Sequence, residues 1–365
     1  VRHLINRAGD VPGMYNDAIY FVGPLSSRRG YAQLRMARYD DVYLSSHFED
    51  GNEGFLFEKE LTYRQNLSRR VNRESLKQPQ GYSHPIELNP DIQDFGDNKE
   101  AYRWHWLPKN HRSQDQFSQV IALNQAFSLT GTQLEQASAE IIDVDQWMRT
   151  LATMRLFGNR DFYSQPSGAH GHWKHNFFIY VRPGDNKVLI MPWDIDENFQ
   201  IPTSSTLYGV GNVANVIRLP NNLHHYLGHM HDVISQSFNR DYLLQWGPRF
   251  TNILPTANFS MPTDYISSRI EFVASQFPDQ VEFQVENPTQ TTIEAESIQI
   301  DGTGWINVRD IHVRGQSDPL VVRWTSPTEW SATVPLQPGK NELNFEAFDF
   351  RGNLIPSNVP NQLTI

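Results

Sequence analysis

Four oxygen-bearing side chains crowd one short stretch of this sequence: Asp161 in GNRD, Asn176 at the head of NFFIYV, and Asp194 and Asp196 in PWDIDENF. Two apolar runs, Asn176–Arg182 and Lys187–Pro192, lie between them, joined by the turn signal Pro-Gly-Asp-Asn at 183–186. A hairpin returns the chain to its starting edge, so Asn176 and Asp194 are expected to converge at one end, with Asp161 on the approach. Carboxylate and amide oxygens in that number suit a hard cation such as Mg²⁺ or Mn²⁺, which completes its shell with phosphate oxygens and water. An aspartate before a strand, an asparagine entering it and an aspartate leaving its partner is the set that phosphoryl transfer uses: a base for the attacking hydroxyl and two metal ligands.

Plainer readings exist for each. Asp194 and Asp196 after Pro-Trp can cap a turn, Asn176 can be a strand-end hydrogen-bonding residue, and Asp161 can form the turn by which a helix exits. The D-x-D-x-N of 194–198 is similar to a calcium loop, but Phe199 stands where such a loop needs glycine. His225 and His229 are four apart and share a helix face, as in zinc hydrolases, without the glutamate of an HE-x-x-H motif. A second histidine group, His170, His172 and His175, lies in the segment before Asn176. Trp104, Trp106 and Trp193 fit a sugar platform, or more simply a core or lobe interface.

Elements must position these groups, and the sequence divides into two regions. Phe117, Val120, Ile121, Asn124 and Phe127 mark an amphipathic helix that Thr130-Gly131 would end. A second helix starts at Asp143, as N-cap, and Asp145, and carries Trp147, Leu151 and Met154. A third runs through Ile266, Ile270 and Val273. Phe55–Tyr63 reads as a strand, and residues 64–100 as a long surface excursion. From residue 278 onward short alternating strands at 281–286, 292–300, 308–313, 320–324, 331–335 and 341–348 predict a small all-β immunoglobulin-like sandwich, with turns at DGTG (301–304) and PGK (338–340). The expectation is an α+β chain with a unit over 1–277 and a β-sandwich over 278–365.

Composition removes several function classes. The 365 residues hold 31 Lys+Arg against 41 Asp+Glu, a formal charge of −10, which is the wrong sign for a nucleic-acid binder. No apolar run approaches the ~18 residues of a membrane span. Cysteine is absent, which removes thiolate zinc sites, disulfides and cysteine nucleophiles. The first residues, Val-Arg-His, without an initiator methionine, suggest a piece of a longer chain.

The run HNFFIYVRPGDNKVLIMPWDIDENF resembles the signature of the CotH (spore coat protein H) kinase family, atypical kinase-fold enzymes that phosphorylate secreted proteins. LRMARYDDVYL at 34–44, GFLFEKELTY at 54–63 and KEAYRWHWLPKNHRSQDQF at 99–117 extend the resemblance to a branch found in large exported multi-module bacterial proteins. The resemblance implies a kinase-like domain over 1–277, ATP with Mg²⁺ or Mn²⁺, Asp161 as base, Asn176, Asp194 and Asp196 at the metal, and a Ser/Thr of a secreted or cell-surface protein as acceptor. It places the protein outside the cell or on its surface, with carbohydrate or cell-envelope contact open to the C-terminal module. Two departures stand out. Asp161 and Asn176 are 15 residues apart (176 − 161), so PSGAHGHWKH reads as an insertion. The phosphate-binding lysine is assigned to Lys59, between Glu58 and Glu60, or else lies upstream of Val1. A catalytically inactive adhesion module on the same fold is the alternative reading.

Overall fold

The computed structural model describes residues 2–9, 11–14, 16–22, 24, 30–59, 62–63, 86–88, 91–163, 174–253 and 260–365. Its helices in chain order are α1 (Arg2–Ala8), α2 (Asp41–His47), α3 (Ser118–Phe127), α4 (Gly131–Ile141), α5 (Val144–Phe157), α6 (Gly211–Ile217), α7 (Pro220–Gln236), α8 (Arg240–Ile253) and α9 (Ser260–Ala274). The strands before residue 278 are β1 (Asn16–Phe21), β2 (Gly30–Met36), β3 (Phe55–Lys59), β4 (Thr62–Tyr63), β5 (Ile86–Leu88), β6 (Trp106–Pro108), β7 (Phe177–Val181) and β8 (Val188–Pro192).

The two apolar runs of the hairpin form β7 and β8, which sit in an antiparallel sheet of order β6-β3-β7-β8. Every residue of both strands is buried. That explains why they read as continuous apolar runs instead of alternating ones: helices cover one face and a second aromatic cluster covers the other. Phe57, Phe177, Ile179 and Ile190 face the main core with α3 and α5, while Leu56, Phe178, Tyr180 and Met191 face Tyr39, Tyr43 and Leu44.

Helix α5 is the spine of the main core. Asp143 caps it as expected, accepting from the Gln146 amide at 3.2 Å. All residues from Gln146 to Phe157 are buried, so its polar members need partners inside the protein. Gln146 exchanges two hydrogen bonds with the backbone of Ile190 (2.7 and 2.9 Å), and Trp147 Nε1 donates to Val188 O at 2.8 Å. The helix is thereby locked in register with β8.

Beyond residue 278 come β9 (Gln284–Val285), β10 (Ser297–Thr303), β11 (Asp310–Val313), β12 (Val322–Trp324), β13 (Glu329–Pro335), β14 (Glu342–Phe348), β15 (Leu354–Ile355) and β16 (Gln362–Thr364). They build two antiparallel sheets, β12-β13-β10-β9 and β11-β14-β15, with β16 also on β14, around one core containing Ile300, Trp324, Trp330 and Phe345. The chain is thus α+β, with a C-terminal sheet region.

Several expectations need correction. DGTG is not a turn: Asp301, Gly302 and Thr303 continue β10, and Gly302 pairs with Trp330 so closely that a β-carbon there would overlap the indole. Thr130-Gly131 ends α3 but also opens α4, so the stop signal hid a start. The surface excursion is over by Asp91, because Ile92 and Tyr102 are fully buried; residues 64–85 lie outside the described residues.

Candidate active site

The ladder between β7 and β8 gains one more rung where Trp193 N donates to Asn176 O at 3.0 Å. This sets Asn176 and Asp194 side by side at one end of the hairpin. Both residues take left-handed backbone, Asn176 at φ 64° and Asp194 at φ 44°. Asn and Asp tolerate that region better than other non-glycine residues, and its occurrence twice at one hairpin end marks a site under local constraint.

Asp161 arrives from the other side. Helix α5 ends at Gly158, which adopts φ 57°, and the chain then turns so that Asn159 Oδ1 accepts from the Asp161 amide at 2.8 Å. Asn176 Nδ2 donates to Asp161 twice, to Oδ2 at 2.9 Å and to the carbonyl at 3.0 Å. The 15-residue separation is therefore closed by direct contact. His175 Nε2 stands 3.6 Å from the same Oδ2. The loop carrying Asp194 and Asp196 is stapled to this turn by Phe199 N to Phe157 O at 2.7 Å, Gln200 N to Gly158 O at 3.1 Å, and a Glu197–Arg160 ion pair at 3.0 Å.

Burial and the carboxylates of Asp194, Glu197 and Asp196 push Asp161 up to about 7, against the opposing pull of the Asn176 hydrogen bond. Asp194, on the solvent-facing rim with Asp196, is raised by partial burial and by Asp196 and Glu197, and lowered by Arg2 of α1. Asp161 Oδ1 is buried with no hydrogen-bond partner among the described residues. That open oxygen leaves Asp161 able to accept a proton, and the neighbouring oxygens of Asn176, Asp194 and Asp196 are hard donors of the kind that Mg²⁺ or Mn²⁺ takes. Among the described residues no three His, Asp or Glu side chains form a ready metal cage.

Lys59 ends β3, opposite Phe177 and Trp106. It is 1% exposed, with Nζ 5.4 Å over the Trp106 ring. Its charge adds to burial in pushing His105 and His175 down to about 4, which places it beside the histidine that touches Asp161. Glu58 points to the opposite face, as strand alternation requires, and pairs there with Lys109 at 2.5 Å. Lys109 lines a cavity of about 500 Å³ with Arg38, Tyr39, Leu44, Leu56 and Arg112. Trp106 is core, Trp193 packs on Tyr39 and Phe178, and Trp104 is exposed. His170 and His172 lie outside the described residues.

Sequence reading missed Arg2, Asn159 and Glu197. Asn159 and Glu197 are inside the motif and could have been found as short polar residues flanking its aspartates; Arg2 carries no sequence signal, being 192 residues (194 − 2) from the aspartate it faces.

No curated protein matches the chain. The family model described as CotH kinase protein matches residues 34–259, a span that contains Asp161, Asn176, Asp194 and Asp196. With well over half its length matched, the chain belongs to the CotH kinase family.

Proposed function

We propose that this protein is an ATP-dependent phosphotransferase that modifies Ser or Thr hydroxyls of secreted or cell-surface proteins. The observation that carries the reading is the contact of Asn176 with Asp161 at the hairpin end where Asp194 also emerges. Asp161 accepts the proton of the substrate hydroxyl as its oxygen bonds to the terminal phosphorus of ATP and ADP departs. Asn176 holds Asp161 through its Nδ2, leaving its own Oδ1 as a ligand beside Asp194 and Asp196. A bound Mg²⁺ or Mn²⁺ would neutralise phosphate charge there. Lys59, across from Phe177 and one residue from Asn176 in register, is the lysine we assign to the nucleotide phosphates.

We read residues 1–277 as the kinase-like unit and 278–365 as an immunoglobulin-like module. Family resemblance and that module support placement outside the cell or on its surface, with cell-envelope carbohydrate as a contact for the module. No helix among the described residues is long and apolar enough to cross a membrane.

The test is transfer of the terminal phosphate of ATP to a generic hydroxyl-rich protein, or to the chain itself, in the presence of Mn²⁺ or Mg²⁺. Transfer by the wild type that Asp161→Asn lowers by ~10²–10⁴-fold supports the reading. Equal transfer by both removes Asp161 from the chemistry, and absence of transfer with either metal favours the adhesion alternative.

A further inference from the structure

A polar chain with a buried centre of His229, Arg149 and Asp232 runs through α5 and α7, and both of its ends are partly exposed arginines of the C-terminal sheet region. Asp145, in the first turn of α5, accepts from Arg309 Nη2 at 3.2 Å and from His229 Nε2 of α7 at 2.8 Å. His229 Nδ1 lies 3.0 Å from Arg149 Nη1. An arginine can only donate, so these partners assign the ring as the neutral Nε2–H tautomer. Arg149 Nη2 continues to Asp232 Oδ2 at 2.9 Å, and Arg351 Nε closes the chain on Asp232 Oδ1 at 3.2 Å. Gln236 Nε2 also donates to Asp232, at 2.7 Å to each oxygen.

Arg149 has a second task. Its Nε donates to Gly9 O at 2.6 Å and its Nη2 to Ala8 O, carbonyls at the end of α1 that the helix itself cannot satisfy. One 4%-exposed guanidinium therefore ties α5, α7 and the end of α1 together. Helix α1 delivers Arg2 towards Asp194, and α5 runs directly into the turn that holds Asp161. On its outer side α1 has independent support, with His3 packed among Tyr242, Trp246 and Phe250 of α8 at centroid distances of 5.8, 4.4 and 5.5 Å.

Buried ion pairs are poor stabilisers compared with apolar packing of the same volume, but they fix geometry. We propose that Arg309 and Arg351 are positioning residues for the Asp161–Asn176–Asp194 site: gripping Asp145 and Asp232, they orient α5 and, through Arg149, hold the end of α1. The C-terminal sheet region is then part of the working unit. Its effect on catalysis rests on the phosphotransfer reading; the positioning itself does not.

The experiment uses the full chain and reads amide hydrogen exchange at residues 5–9 and along β7 and β10, together with calorimetric binding of ATP–Mn²⁺. In Arg309→Ala/Arg351→Ala, exchange at residues 5–9 should rise ~10-fold or more with β7 and β10 unchanged. Arg351→Lys, which keeps the charge on Asp232, should restore most of the protection in the Arg309→Ala background. Nucleotide affinity should fall in the double variant, and Arg2→Ala should abolish the difference. Unchanged exchange at residues 5–9 overturns the proposal. So does uniform acceleration across β7 and β10 in both the double variant and the milder Asp232→Asn, because the arginines would then hold the fold and not place α1. Absence of ATP–Mn²⁺ binding in the wild type removes the phosphotransfer reading and leaves the exchange result to decide the positioning.

Discussion

Asp161 is held by opposing influences: Asn176 donates to one of its oxygens, while burial and three neighbouring carboxylates disfavour its charge. Its usual value of 3.8 rises to about 7 in the fold, so between those pH values the native state keeps a proton that the unfolded state has lost. Stability contributed by this residue therefore declines as pH rises from about 4 to 7 and stays low above that. Asparagine at the position keeps the acceptor for Asn176 and removes the charge. Asp161→Asn should raise the melting temperature, with a gain that grows from pH 4 to 7 and levels off beyond, while phosphate transfer is lost; a gain of constant size from pH 4 to 8 would show that the carboxylate is not perturbed. The pair Glu58 and Lys59 shows the limit of reading single residues. They are adjacent in sequence but project from opposite faces of β3, and Glu58 pairs with Lys109, 51 residues away (109 − 58).

Among the elements, the hairpin was legible because its apolar runs, turn residues and flanking acids all pointed the same way, and it formed within one residue of its expected bounds. Helix α5 was legible through its cap and its stripe. What sequence could not reveal was how Asp161 reaches Asn176, since that depends on the turn after α5, or that α1 lies beside Asp194. Helices α1, α2, α6 and α8 were missed; in α8 the Gly247-Pro248 pair, a stop signal in sequence, lies inside the helix. Gly158 is the element-scale test. It stops α5 in the left-handed region, and a β-carbon there would collide with Tyr265 and Ile201. Gly158→Ala should cost ~1–3 kcal/mol, from strain plus overpacking, and should impair transfer more than Gly184→Ala in the exposed hairpin turn, where a β-carbon meets nothing within 4 Å. Equal effects of the two substitutions would mean that the α5 turn does not set the site.

The whole molecule is stitched together by histidines on α7. His224 stacks on Trp324 at 3.3 Å and its ring nitrogens face the carbonyls of Pro327 and Val308 at 2.7 Å each, so the ring joins the helix to the C-terminal sheets. Burial holds His225 down to about 4 and lowers His229 and His231, whereas His224 sits between two carbonyls that can only accept, so both of its ring nitrogens are placed to donate. Rings that stay neutral in the fold but charge near 6.5 when unfolded give stability that is present above pH 6.5 and is lost as pH falls towards 4. For His225 that amounts to about 2 kcal/mol at pH 5. In Asp161→Asn, which removes the opposing contribution of that carboxyl, the melting temperature should drop by roughly 2–5 °C between pH 7.5 and pH 5; a flat profile in that variant would show that the rings are not buried neutral. The central claim, a metal-dependent nucleotide site at Asp161, Asn176 and Asp194, is tested most directly by thermal unfolding with ATP plus Mn²⁺ in the wild type and in Asp194→Ala. At 100 times its dissociation constant the ligand stabilises by ~2.7 kcal/mol. The account predicts a rise of several degrees in the wild type that requires both ATP and metal and vanishes in Asp194→Ala, and an equal rise in both proteins, or in neither, would contradict it.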